Sequence, residues 1–250
     1  MANYITKFKT QADYNAQKYK LDYPNTSYIE GTDEVVLVNA MPTDYALAWL
    51  DANSSIIGVS PCSATLTRPK TVRGENVYGV RWGDCQSLTA IGENAFQNCR
   101  HISGSFVIPS NITAIGNSAF YYCQNMTITL PDNLLTIGES AFTQCANTEW
   151  VVPDSVTTIG GYAFTEGPAT SLTIGTGCTS LGMCPVNWNT NMAEITIKAT
   201  TPPTVPSNFR LTYAGNDSTI QIYVPTASVD TYKAATGWSR YASQINAITE

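Results

Sequence analysis

The hexad Ile-Gly-x-x-Ala-Phe occurs four times in the middle of this chain, at a spacing that leaves few folds open. It reads Ile91-Gly92-Glu93-Asn94-Ala95-Phe96, then Ile115 to Phe120, Ile137 to Phe142 and Ile159 to Phe164. The phenylalanines step by 24, 22 and 22 residues. A fixed period in the twenties marks a solenoid, whose units bury their apolar sides only by stacking on their neighbours. Such folds present surfaces for binding, so a recognition module is the first expectation.

Each unit carries a short apolar run closed by proline: Phe106-Val107-Ile108-Pro109, Ile128-Thr129-Leu130-Pro131 and Trp150-Val151-Val152-Pro153. Leu172-Thr173-Ile174-Gly175 puts glycine in that phase, and Ile195-Thr196-Ile197 follows with one residue inserted. Proline lacks the N–H that a ladder needs, so it ends each strand. Glycine after isoleucine is expected to supply positive φ at the next corner. Strand alternation points Ser105, Val107, Thr127, Thr129, Glu149, Val151, Ser171, Thr173, Glu194 and Thr196 away from the core. These two columns are the candidate ligand-binding face, flat and weakly charged, suited to a protein or glycan surface. A solvated face without a partner is the alternative.

Cys99, Cys123 and Cys145 each stand three residues after a repeat phenylalanine, and Cys85 stands so to Trp82. Cysteine tied to repeat phase reads as a small buried residue stacked turn upon turn. No zinc-type pairing of cysteines is present. Cys62, Cys178 and Cys184 lie off this ladder, with their state left open.

The pattern Ile-Gly-x-x-Ala-Phe-x-x-Cys-x-x-(apolar)…Ile-Pro resembles the BspA-type leucine-rich repeats of bacterial and protist surface proteins, from about Trp82 to Ile197. The resemblance implies an α+β leucine-rich repeat solenoid with units of about 22 residues, spanning 76–200. Three departures mark its ends. The unit opened by Trp82 runs only fourteen residues to Phe96, Gly167 replaces cysteine in the fourth unit, and Pro185-Val186 replaces Ala-Phe in the fifth. Degenerate repeats are expected where a solenoid meets its caps.

Residues 201–250 read as such a cap, with a strand at Ile220 to Pro225, a helix from Ser228 to Ala235 and Gly237 as its stop. The phrase from Ile222 to Trp238 resembles the ending of many repeat proteins from gut Bacteroides. Residues 1–75 read as a small α+β attachment module. It would contain a strand at Tyr4–Phe8, a helix from Thr10 to Lys20, a hairpin of 27–30 with 34–38, and a second helix from Thr43 through Leu50. Lys7-Phe8-x-Thr10-x-Ala12-Asp13-Tyr14, with Pro24-Asn25-x-Ser27-Tyr28-Ile29-Glu30-x-Thr32-Asp33-Glu34-Val35, resembles the leader module of virion proteins in Bacteroides phages.

Chemistry is hard to assemble from these residues. His101 is the one histidine, and a Cys99–His101 dyad is disfavoured because the ladder buries the thiol. Asp132 and Asp154 occupy equivalent corners and, with Glu149, form a candidate calcium edge, though solvated turn residues explain them better. No phosphate-binding glycine pattern is present. An enzyme is not expected, and neither is a cofactor or a bound metal.

A net charge of −6 with only 13% charged residues disfavours nucleic acid and anionic membranes, which need clustered Lys and Arg. No run approaches the roughly 18–20 apolar residues of a membrane span. Met1 to Lys9 lacks a secretory signal pattern. The chain is therefore expected to stay in its cell, leave by a non-secretory route such as lysis, or be missing a signal that precedes it. Two functions are carried forward. The first is a virion fibre or decoration protein, contacting other virion proteins through residues 1–75. The second is a BspA-like bacterial cell-surface adhesin; homo-oligomers are left open in both.

Overall fold

A computed structural model describes residues 45–54 and 56–249, with the backbone of three short segments before them. Those segments are β1 (Ile5–Lys7), β2 (Ser27–Ile29) and β3 (Glu34–Val36), an antiparallel sheet with β3 central. The expected 27–30/34–38 hairpin is present as the pairing of Ser27 with Val36 and Ile29 with Glu34. The Thr10–Lys20 helix expectation lies outside the described residues.

The helix expected from Thr43 through Leu50 is replaced by a strand. Tyr45–Leu50 is β4, central between β5 (Ile56–Pro61) and β7 (Gly79–Trp82). Alanine and leucine favour a helix locally. Here Ala46, Leu47, Ala48 and Trp49 are all fully buried, and lateral pairing with covering on both faces overrides propensity. Trp49 donates its Nε1–H to Ser60 Oγ at 3.0 Å and packs 5.0 Å from the Phe96 ring. Trp82 lies against Phe96 and Phe106. This antiparallel sheet therefore closes the first end of the phenylalanine stack.

Two sets of parallel strands follow. The short ones are β6 (Thr65–Leu66), β8 (Ala90–Ile91), β10 (Ala114–Ile115), β12 (Thr136–Ile137), β14 (Thr158–Ile159) and β16 (Ser180–Leu181), paired in that order. Their ladder begins within the stretch 1–75 read from sequence as the attachment module. The longer ones are β9 (Gly104–Val107), β11 (Met126–Thr129), β13 (Glu149–Val152), β15 (Ser171–Ile174), β17 (Glu194–Ile197), β18 (Gln221–Val224) and β19 (Ile245–Ala247). A short helix α1 (Val229–Ala234) packs over β19. It ends before Gly237, whose φ is 82°. Among the described residues, no helix is long and apolar enough to cross a membrane.

Between the strand sets the Phe96, Phe120, Phe142 and Phe164 rings form a column with centroid spacings of 4.7, 5.6 and 5.7 Å and interplanar angles of 19° or less. Each Phe N–H donates to the next turn: Phe96 to Ala119 O at 2.7 Å, Phe120 to Ala141 O and Phe142 to Ala163 O at 2.8 Å.

The repeat glycines serve a purpose other than the positive φ expected of them. Left-handed backbone falls at Asn94, Ser118, Ser140, Tyr162 and Cys184 and again four residues later, not at Gly92, Gly116, Gly138, Gly160 or Gly182. A Cβ on Gly138 would stand 2.6 Å from Asn117 N and from Gly116 C. Neighbouring turns touch backbone to backbone there, so glycine is required by close approach.

Candidate binding face

Parallel register stacks the outward strand residues as the alternation implies. Ser105 lies beside Thr127 and Val107 beside Thr129. Further along, Glu149, Ser171 and Glu194 form one column and Val151, Thr173 and Thr196 the other. None of the ten is buried. Val107 and Val151 are 62% and 65% exposed, unusual for valine on a strand. The intervening Phe106, Ile128, Trp150, Leu172 and Ile195 are buried. Gln221 and Tyr223 continue the columns opposite Glu194 and Thr196, and Asn246 lies beside Tyr223. These three escaped the sequence reading because β18 and β19 fall outside the 22-residue period.

The face is divided in two, which the repeat phase does not foretell. β9 and β11 pair with each other, β13, β15, β17, β18 and β19 form a second sheet, and β11 does not pair with β13. Asn147, buried at that junction, takes the place of a neighbouring peptide. Its Oδ1 accepts the Ile128 N–H at 2.8 Å and its Nδ2 donates to the Ile128 carbonyl at 2.9 Å. Beside it Trp150 wedges between Phe142 and Phe164, at 4.8 and 4.9 Å.

The titratable candidates are scattered. His101 stacks on Tyr78 at 4.3 Å. Cys99 is buried, receives a weak contact from Arg68 Nη1 at 3.9 Å, and is pushed up to about 12 by burial. Cys123 and Cys145 are likewise raised by burial. Their thiols donate to the carbonyls of Phe96 and Phe120 at 3.1 and 3.4 Å. Cys178 and Cys184, left open by the sequence, are buried free thiols. Cys85 departs from the ladder expectation: it is disulfide-bonded to Cys62. The truncated first unit places it opposite Cys62, where no repeat cysteine precedes it.

Asp154 is occupied within the fold, its Oδ1 accepting the Thr176 N–H at 2.9 Å. No group of three or more potential metal ligands occurs among the described residues. A cleft of about 310 Å³ opens near the last turns, lined by Thr176, Thr179, Thr200 and Thr204 with Cys178. Cys178 is the sole titratable group of that lining, and burial raises its thiol to about 11, so the cleft offers hydrogen bonding without a ready proton donor or acceptor.

No curated protein matches the chain. Two solved structures share its fold: a leucine-rich cell surface protein of Faecalibacterium prausnitzii and the pneumococcal vaccine antigen PcpA. The first is 20% identical with a TM-score of 0.51, over 72% of this chain and 55% of that one. The second is 19% identical with a TM-score of 0.50, over 81% and 48%. The chain thus spans about half the length of these proteins. The model of the BspA type leucine rich repeat region matches residues 85–209 in six copies. With its stacked phenylalanines, close-approach glycines and paired strand rungs, this chain belongs to the BspA-type leucine-rich repeat family.

Proposed function

We propose that this protein is a bacterial cell-surface recognition protein, without catalytic activity, that engages a protein or glycan surface through the outward columns of its long strands. The observation that carries the reading is the register of those columns: short polar side chains and exposed valines on a rigid parallel scaffold, where docking orders little. Family membership supports a binding role. The Cys62–Cys85 disulfide supports an oxidising, extracytoplasmic setting. Residues 1–75 would then serve as the anchoring module.

The test pairs location with binding. Antibody staining of intact source cells is expected to be positive, and Thr129→Arg with Thr173→Arg is expected to abolish adhesion while leaving Tm unchanged. Signal confined to purified virions would replace this reading with that of a virion attachment protein. Undiminished adhesion by the double variant would move the binding site off the strand face.

A further inference from the structure

The seam between β11 and β13 makes β13 an edge strand in the middle of the solenoid. Thr148 O accepts the Thr170 N–H, and β13 pairs with β15 from Glu149 to Val152. Successive residues of a strand direct their backbone groups to opposite sides, so those of Trp150 and Val152 face β15 and those of Glu149 and Val151 face β11. β11 does not answer them. Its own groups on that side are engaged: Met126 O accepts the Ala146 N–H at 2.9 Å, and the Asn147 carboxamide holds both the N–H and the C=O of Ile128. Among the described residues, no hydrogen bond reaches the backbone N–H or C=O of Glu149 or Val151 from the seam. The seam is open to solvent. Thr127, Thr129, Glu149 and Val151 on its two sides are exposed, Val151 by 65%. Ser171 and Thr173, with paired strands on both flanks, are half-buried. An open edge is ordinarily guarded by lysine or proline, and β13 carries neither.

We propose that β13 takes up an extended segment of a partner protein as an added strand. Donors and acceptors spaced along a strand edge are matched in full by another extended backbone, and sugar hydroxyls do not reproduce that spacing. The inference rests on the strand face being the binding surface, and it names the partner. Side chains set the sequence it accepts. Glu149 and Glu194 are the charged members of the outward columns and both are acidic, so the segment carries Lys or Arg opposite Glu149. Two positions along, a β-branched residue covers Val151. The residue between them points inward, where Asn147 and Trp150 are buried, and has to be small.

The test uses the peptide acetyl-Thr-Val-Ala-Lys-Ala-Val-Thr-amide, which reads the same in both strand directions. In the free protein, the Glu149 and Val151 amides should exchange with solvent fast and those of Trp150 and Val152 slowly. With peptide at about 1 mM, the first two are expected to slow about tenfold or more. Val151→Pro removes an N–H that the fold does not use, and proline is tolerated on such an edge. Its Tm should hold while peptide binding weakens about tenfold or more. Unchanged exchange at Glu149 and Val151, or equal binding by Val151→Pro and the parent, would overturn the proposal. If Val151→Pro adheres like the parent while Thr129→Arg with Thr173→Arg does not, backbone pairing falls and the strand face stands. Undiminished adhesion by both variants removes the face as well.

Discussion

The Cys123 thiol donates to the Phe96 carbonyl at 3.1 Å, one turn back along the solenoid. Cys145 repeats the contact to Phe120 at 3.4 Å. Asn189, at the cysteine position of the fifth unit, sends its Nδ2 to Phe164 O at 2.7 Å. The ladder residue therefore does two things: it is small enough to stack, and it gives a second donor to a buried carbonyl that already accepts a backbone N–H, Cys99 N–H at Phe96 O and Cys123 N–H at Phe120 O. At the start of the solenoid Arg68 donates to Gln97 O at 2.6 Å, a carbonyl whose equivalents in later turns, Tyr121 O and Thr143 O, accept the Asn98 and Tyr122 N–H groups.

Removing the donor should then cost more than lost volume alone. Cys145→Ala is expected to destabilise by about 1–2 kcal/mol, through the lost thiol volume and the lost second hydrogen bond to Phe120 O, which still accepts the Cys123 N–H. Cys145→Ser, which keeps a donor, should cost clearly less. Chemical denaturation of both variants decides the point; equal losses would reduce the ladder to packing.

Burial also sets the pH response. The thiols of Cys99 and Cys178 are raised from 9.0 to about 12 and about 11, and those of Cys123 and Cys145 also rise. A raised folded-state value means that the unfolded chain releases protons first. This stabilisation is whole below pH 9.0 and is lost as pH climbs toward 11 and 12. Tm should decline across that window. In the native state at neutral pH, Cys99, Cys123 and Cys145 should resist thiol reagents until denaturant is added, and rapid labelling of the folded protein would contradict their placement.

Close approach and positive φ make opposite demands on neighbouring positions. Gly138→Ala places a methyl 2.6 Å from Asn117 N and Gly116 C and should cost about 3 kcal/mol, the upper end of forced overpacking, because the obstructing atoms are backbone and cannot swing aside. Ser140→Gly, at φ 54°, should be within about 1 kcal/mol of neutral. Thermal melts of the pair would show the reverse order if glycine served the corner.

The Cys62–Cys85 bond closes a separation of 23 residues at the first end of the solenoid. Cys62→Ser with Cys85→Ser is expected to lower stability by about 3 kcal/mol, and reductant should lower the Tm of the parent but not of the variant. Peptide mapping under non-reducing conditions should recover the linked pair.

Asn147 bridges Ile128 N–H and C=O where the long-strand sheet is interrupted. Asn147→Ala strands both groups and should cost about 2–4 kcal/mol. Asn147→Asp keeps the acceptor but turns a second oxygen toward the Ile128 carbonyl, so it should not rescue. Full stability in Asn147→Asp would mean that the carboxamide is not the bridge.

The stacked core was legible because a solenoid converts sequence spacing into contact. Residues 22 apart become neighbours, so Phe120, Phe142 and Phe164 had to meet, and Thr129 and Thr173 had to face outward together. Local propensity failed at Tyr45–Leu50, an Ala- and Leu-rich segment that Trp49 and its strand neighbours hold extended. The positive-φ row was also hidden, since Tyr122 and Trp188 carry no local preference for that backbone.

By itself, then, the amino-acid sequence determined the repeat, its phase and its inward and outward faces, all of which depend on one fixed period. Tertiary structure decided what had no period: the Cys62–Cys85 partnership, the Asn147 interruption, the β4 strand and the continuation of the columns through Tyr223 and Asn246. Each of these depends on a single pairing between segments, and such a pairing is settled by which buried groups remain to be satisfied once the repeats have stacked.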